Sequence, residues 1–125
     1  MTTQMHRVYN EFKNNDMIMF LSHTVMPEAD SVAVLKDYAN KLNVSSTKWN
    51  FVTGDKKQIY NLARKTYFAA ITEGDGGVND FIHTENFVLV DKEKRLRGFY
   101  DGTSKEDVDR LIEDINALLY EYPEN

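Results

Sequence analysis

Met5, Val8, Tyr9 and Phe12 recur on one helical face, with His6, Arg7, Asn10 and Lys13 elsewhere on the wheel. This pattern predicts a helix over 2–14, ended by Asn14-Asn15-Asp16. The periodicity then changes. Met17-Ile18-Met19-Phe20-Leu21 is a continuous apolar run leading into Ser22-His23-Thr24-Val25, most simply a buried parallel strand. Pro27 biases Met26 to extended geometry and makes a loop of 26–29. Asp30 or Ser31 is placed to cap the next helix, whose apolar stripe is Val32, Leu35, Tyr38, Ala39 and Leu42. After a polar connection, Trp49-Asn50-Phe51-Val52-Thr53 alternates as a short strand and Gly54 turns the chain. Asp55 caps a helix with Ile59, Leu62 and Ala63 inward, and Tyr67-Phe68-Ala69-Ala70-Ile71 reads as another short strand. Glu73-Gly74-Asp75-Gly76-Gly77-Val78-Asn79 is the most flexible stretch by composition and reads as a hairpin tip.

The last third is more regular. Residues 87–90 form a short apolar run of β-formers, the pattern of a strand buried on both faces. Asp91-Lys92-Glu93-Lys94 is polar turn material, and Leu96, Phe99 and Tyr100 make a second strand, giving an antiparallel hairpin. Ser104-Lys105-Glu106-Asp107 is a capping-box-like start to a final helix. Val108, Leu111, Ile112, Ile115, Leu118 and Leu119 form its apolar face, and Pro123 closes it. The order α-β-α-β-α-β-β-β-α implies an α/β fold with one mixed sheet. The chain opens on a helix with no strand before it, so the strand over 17–25 lacks a parallel predecessor.

Composition narrows the function. A chain of 125 residues with 42% hydrophobic and 28% charged positions fits one globular domain. A net charge of −5 argues against nucleic acid or an anionic membrane as the main partner. No stretch approaches the roughly 18 apolar residues of a membrane span. The chain has no cysteine, which removes disulfides, thiol redox chemistry and thiolate metal sites from it. The glycine-rich stretch over 73–79 lacks both a GxGxxG pattern and a P-loop lysine, and it lacks the twelve-residue calcium loop.

His83, in the loop before the strand over 87–90, is the candidate metal ligand; read alone, a hydrogen-bonded loop histidine is the commoner role. Asp80 and Glu85 flank it and would either orient its ring or serve as capping or surface groups. Met17 and Met19 share one strand face; their thioethers are soft ligands, but core packing is the better expectation. Met26 falls at the strand's end, near enough to be considered with His83. His23 is expected to be a satisfied structural histidine, and His6 to face solvent.

Several stretches resemble the Sco/SenC family of thioredoxin-like proteins. They are Met5-His6-Arg7-Val8-Tyr9, Phe20-Leu21-Ser22-His23-Thr24-Val25, Leu35-Lys36-Asp37-Tyr38-Ala39 and Trp49-Asn50-Phe51-Val52-Thr53-Gly54-Asp55. They continue through Asp80-Phe81-Ile82-His83-Thr84-Glu85-Asn86-Phe87-Val88-Leu89-Val90-Asp91 and Tyr100-Asp101-Gly102-Thr103, in the family's order and across nearly the whole chain. The resemblance implies a single thioredoxin-like domain over 1–125, with a mixed sheet flanked by helices. It implies copper as the cofactor of the complete protein, held by two cysteines of a Cys-Pro-x-x-Cys-Pro-like motif and one distant histidine, which His83 matches. Thiolates suit copper(I), while an imidazole helps hold copper(II). It implies assembly of the dinuclear copper site of cytochrome c oxidase, with the oxidase subunit bearing that site as partner. The family's proteins are usually membrane-anchored and face the periplasm or the mitochondrial intermembrane space.

The resemblance also has departures. The family's cysteine motif lies immediately before the helix that opens this chain, so the first core strand, the cysteines and any anchor are expected to be missing here. The chain thus reads as a truncated domain, or as a reading frame started at an internal methionine. Met26 stands where the family's Asp-Pro-x-x-Asp pattern has its first aspartate, while Pro27, Glu28 and Asp30 fit. In a thioredoxin-like sheet the absent strand is central, between the strands near Phe20 and Leu89. Its loss is expected to be compensated by direct pairing of those two strands, by a homodimer or swap, or by partial disorder. The expectation is a binding protein, not an enzyme, that holds no copper tightly by itself. The alternatives are a thiol-disulfide reductase or peroxidase whose cysteines lie upstream, and a cysteine-free interaction module.

Overall fold

Three helices begin where the sequence supplies a side-chain acceptor. In the computed structural model, which describes residues 2–24, 26–45, 47–66, 74–77, 80 and 85–122, Ser31, Asp55 and Ser104 are N-caps. Each accepts a hydrogen bond from the backbone N–H three residues on, at Val34, Gln58 and Asp107. The elements are α1 (Thr2–Phe12), β1 (Phe20–His23), α2 (Val32–Leu42), β2 (Trp49–Val52) and α3 (Lys56–Asn61), which runs into a π-helical turn (Leu62–Thr66). They are followed by β3 (Asn86–Val90), β4 (Leu96–Asp101) and α4 (Lys105–Glu121). The short strand expected over 67–71 and the helix end at Pro123 lie outside the described residues.

The chain divides into two compact units, one of residues 9–83 and one of 1–8 with 84–125. In the first, β1 and β2 run parallel, pairing Phe20 with Trp49 and His23 with Val52. Parallel pairing was expected of the apolar run; burial was not fully met. The ladder begins only at Phe20, because Asn15 turns the chain before it, its side chain accepting from the Met17 N–H and its carbonyl from the Ile18 N–H. Phe20 is buried against Tyr9 and Trp49, whereas Leu21 is 52% exposed on the alternate face. Of the stripe expected on α2, Leu35, Ala39 and Leu42 are half-buried, but Val32 and Tyr38 are exposed, and the helix buries no residue fully. Tyr38 nonetheless meets Phe51 of β2 edge-on at 5.4 Å.

In the second unit β3 and β4 form the expected antiparallel hairpin, pairing Phe87 with Tyr100 and Leu89 with Gly98, with an irregularity between Leu89 and Val90. Lys94 takes the left-handed conformation in its turn (φ 66°). The strand is not buried on both faces: Phe87 is, while Val90 is 40% exposed. On α4, Val108, Leu111 and Ile115 are buried, as the apolar face predicts. Both components of the expected mixed sheet are present, but in the described residues they form two two-stranded sheets, not one. Direct pairing of the strands at Phe20 and Leu89 is not the observed solution, since Phe20 pairs with Trp49 and Leu89 with Gly98.

Candidate functional site

His83 lies within 81–84, outside the described residues, and the chain before it and the chain after it belong to different units, each described by itself. On the N-terminal side stands Asp80, in the unit of residues 9–83. Lys56, Tyr60 and Arg64 repeat at intervals of four residues, so they follow one another along one face of α3 and the π turn. Tyr60 is buried, with the Lys56 ammonium 5.1 Å and the Arg64 guanidinium 5.6 Å from its ring centre. Both cations reach the glycine-rich loop. Lys56 Nζ donates to the Gly77 carbonyl at 2.8 Å, and Arg64 donates to both oxygens of Asp80 at 2.6 and 2.7 Å. The Gly76 N–H adds a third bond to Asp80, at 2.8 Å.

Gly76 has a φ of +76°, and a Cβ there would come within 2.9 Å of the Lys57 Cα, so this close approach needs glycine. The loop is therefore docked against α3. The strand expected over 67–71, which would precede it in a hairpin, falls outside the described residues. Only 7% of the Asp80 side chain and 10% of the Arg64 side chain are exposed. The hydrogen bond from Arg64 dominates, against the opposing effect of burial, and holds the Asp80 pKa down at about 2. Asp80 is thus neither a surface group nor a helix cap.

On the C-terminal side the chain is fixed by backbone. The Gly102 N–H donates to the Glu85 carbonyl at 2.6 Å, just before β3, while Glu85 itself is exposed. A Cβ on Gly102 would stand 2.6 Å from the Phe87 ring and 2.7 Å from the Glu85 carbonyl oxygen. Gly102→Ala is therefore expected to destabilise the hairpin by about 1–3 kcal/mol through overpacking. Thermal denaturation measures the loss, and faster amide exchange at 102 would locate it.

Asp91, read from the sequence as turn material, accepts four hydrogen bonds through its carboxylate. Its side chain has no exposed surface. Oδ1 accepts from the N–H groups of Glu93 and Arg95, and Oδ2 accepts from Arg95 Nε and Arg97 Nη1. Arg97 continues to Glu121 at 2.8 Å, and Arg95 to the Tyr122 hydroxyl, so the hairpin turn is tied to the end of α4. Burial raises the pKa of Asp91, but the bonds from Arg95, Arg97 and Glu93 outweigh it and leave the group well below the usual carboxylate range.

The other sequence candidates are dispersed. Met17 and Met19 are 40% and 68% exposed, not core, because both precede the β1 ladder; Met26 is 48% exposed. The Met26 N–H donates to Thr24 Oγ1, which itself donates to Asp30 at 2.5 Å. Asp30 thus secures the turn after β1. His23 is exposed and engages a neighbouring group, consistent with a structural role. His6 is half-buried instead of solvent-facing, and the next residue, Arg7, pairs with Asp109 of α4 at 2.6 Å. Among the described residues no three His, Asp or Glu side chains converge as a metal site, and the chain has no thiolate.

No helix among the described residues is long and apolar enough to cross a membrane. The profile of the SCO1/SenC family matches residues 1–120. A SCO1 protein homolog of Bacillus subtilis (strain 168) is 29% identical over 119 residues, covering 94% of this chain; the chain spans 61% of that relative's length. A SCO1/SenC family lipoprotein from Bacillus anthracis superposes with a TM-score of 0.76 at 24% identity, over 94% of this chain and 70% of that one. BsSco, described as having a disulfide switch and as a member of the Sco family of cytochrome c oxidase assembly proteins, superposes with a TM-score of 0.74. It is 25% identical, over 94% of this chain and 69% of its own.

Proposed function

Because the chain belongs to the SCO1/SenC family, we propose that it serves as a copper-binding chaperone-like protein in the assembly of cytochrome c oxidase, contributing His83 as a copper ligand. The observation that carries this reading is the family match through residues 1–120, which spans His83 and both anchors beside it. The match also runs through both units, which supports one domain over 1–125. In this reading the protein is a carrier and not an enzyme. Its partner is the oxidase subunit that receives copper. It works at the outer face of a membrane, as the lipoprotein relative suggests. By itself the chain offers one imidazole of that site, too few donors for tight copper binding.

Thiol-disulfide exchange is the second reading, favoured by the disulfide switch described for BsSco. It does not require His83. Deleting the coding region from the source cell separates the two. The chaperone reading expects reduced cytochrome c oxidase activity that added copper partly restores. Unchanged oxidase activity with a shifted thiol balance would favour exchange.

A further inference from the structure

The hydrogen bonds of β1 fix which of its residues look away from β2. The Phe20 N–H donates to the Lys48 carbonyl and the Thr24 N–H to that of Val52, so residues 20, 22 and 24 turn their backbone groups toward β2. Backbone groups alternate in direction along a strand, so those of Leu21 turn to the opposite edge. Among the described residues no strand occupies that edge, since β1 pairs with β2 alone. The same alternation puts the side chains of Met19 and Leu21 on one face, and both are exposed, at 68% and 52%. Open edge and open face thus belong to the same residues.

This edge also lacks the usual protection. Edge strands of monomers commonly carry lysine, proline or an inward charge that keeps a second strand away. β1 carries none of these, and no Asp, Glu, Lys or Arg occurs from Met17 to Pro27, the nearest being Asp16 and Glu28. The chain's net charge of −5 is therefore absent where two copies would meet. A two-stranded sheet is also marginal by itself, whereas four strands make a sheet of ordinary size.

Symmetry selects the occupant. A twofold axis at Leu21 runs two β1 strands antiparallel, with Leu21 opposite Leu21 of the second copy and Met19 opposite His23 of the second copy. In this register Leu21 exchanges both N–H···O bonds with its counterpart, and the two leucine side chains meet on the open face. A strand that is uncharged and complementary to its own reverse needs no second kind of chain. We propose that β1 is a self-association edge, to which a second copy of this chain adds its own β1 to make a four-stranded sheet in the order β2-β1-β1-β2. So short an edge is a small interface, and the dimer is weak and concentration-dependent. The inference does not rest on the copper reading.

Sedimentation equilibrium of the chain, from low micromolar to near-millimolar concentration, is expected to show the mass passing from one chain toward two. Amide exchange is read on the same samples. The Leu21 N–H is expected to slow several-fold as concentration rises, while the Phe20 N–H, bonded to β2, is protected throughout. Leu21→Lys and Leu21→Glu, at an exposed position, are each expected to stay at the mass of one chain, because the axis sets like charges face to face. An equimolar mixture of the two variants is expected to recover the dimer, since unlike charges then meet. Should a variant not fold, the wild-type mass and exchange still decide. A single-chain mass at the highest concentration, Leu21 exchange that ignores concentration, a dimer that survives Leu21→Lys, or a mixture that stays monomeric would overturn the proposal.

Discussion

Asp91→Asn is expected to lower the thermal stability of the hairpin unit more than removal of any exposed ion pair, such as Asp37 with Lys41. The reason is the donor geometry. Each Asp91 oxygen accepts two hydrogen bonds, Oδ1 from backbone N–H groups and Oδ2 from guanidinium groups. An amide replaces one oxygen with a donor, so either orientation of the new side chain sets donors against donors. It also removes the charge that Arg95 and Arg97 share. The Lys41–Asp37 pair is 75% and 67% exposed, and such pairs contribute little.

The pH dependence follows the same carboxylate. The folded pKa of Asp91 is depressed below the unfolded value of about 3.9, so its contribution is full above that value and is lost as pH falls through it toward the folded pKa. Asp80, held at about 2, behaves alike. Melting temperature should therefore fall steeply between about pH 4 and pH 2, and Asp91→Asn should make that acid limb shallower. An unchanged acid limb in the variant would contradict the assignment.

Trp49→Ala should produce the largest loss in the unit of residues 9–83, about 3–5 kcal/mol. The ring is 2% exposed and lies at the junction of the parallel strands with the end of α1. It stacks on Phe51 at 5.0 Å and meets Tyr9 and Phe20 at 5.7 and 6.1 Å. Its Nε1 donates to Ser22 Oγ at 3.0 Å, binding β2 to β1 by a side chain as well as by the ladder. A two-stranded sheet has little stability without such packing. Trp49→Phe keeps part of the ring contact and should cost clearly less. Because this is the chain's single tryptophan, unfolding is followed by circular dichroism in urea instead of fluorescence. A loss below about 1 kcal/mol for Trp49→Ala would mean that the aromatic cluster does not hold this unit together.

What was legible in the sequence is local in origin. The caps at Ser31, Asp55 and Ser104 and the apolar face of α4 depend on residues within a few positions of each other. The hairpin of β3 and β4 needed only two β-forming runs around a polar turn. Burial was less legible. An apolar run such as 17–21 looks buried whether or not a layer covers it; Met19 precedes the β1 ladder and Leu21 lies on the strand face opposite Phe20, and both are exposed.

The polar anchors were missed for a different reason. Arg64 and Asp80 are 16 positions apart, and Arg97 and Glu121 are 24 apart, so their pairing depends on how elements meet. A hint existed at Asp91, followed at Arg95 and Arg97 by two guanidinium groups on a short return strand, but its burial was not readable from the turn's polar composition. The proposal of His83 as a ligand rests on the family pattern alone, since a single loop histidine carries no local mark of a ligand.

Copper(II) titration of the chain, alone and joined at its N-terminus to a synthetic segment bearing the family's cysteine motif, tests the central claim most directly, with His83→Ala prepared in both forms. The account predicts no tight binding by the chain alone, one copper per molecule in the joined form, and loss of the imidazole nitrogen coupling from its electron paramagnetic resonance spectrum in His83→Ala. Tight binding by the chain alone, or a joined form whose copper spectrum is the same with and without His83, would contradict it.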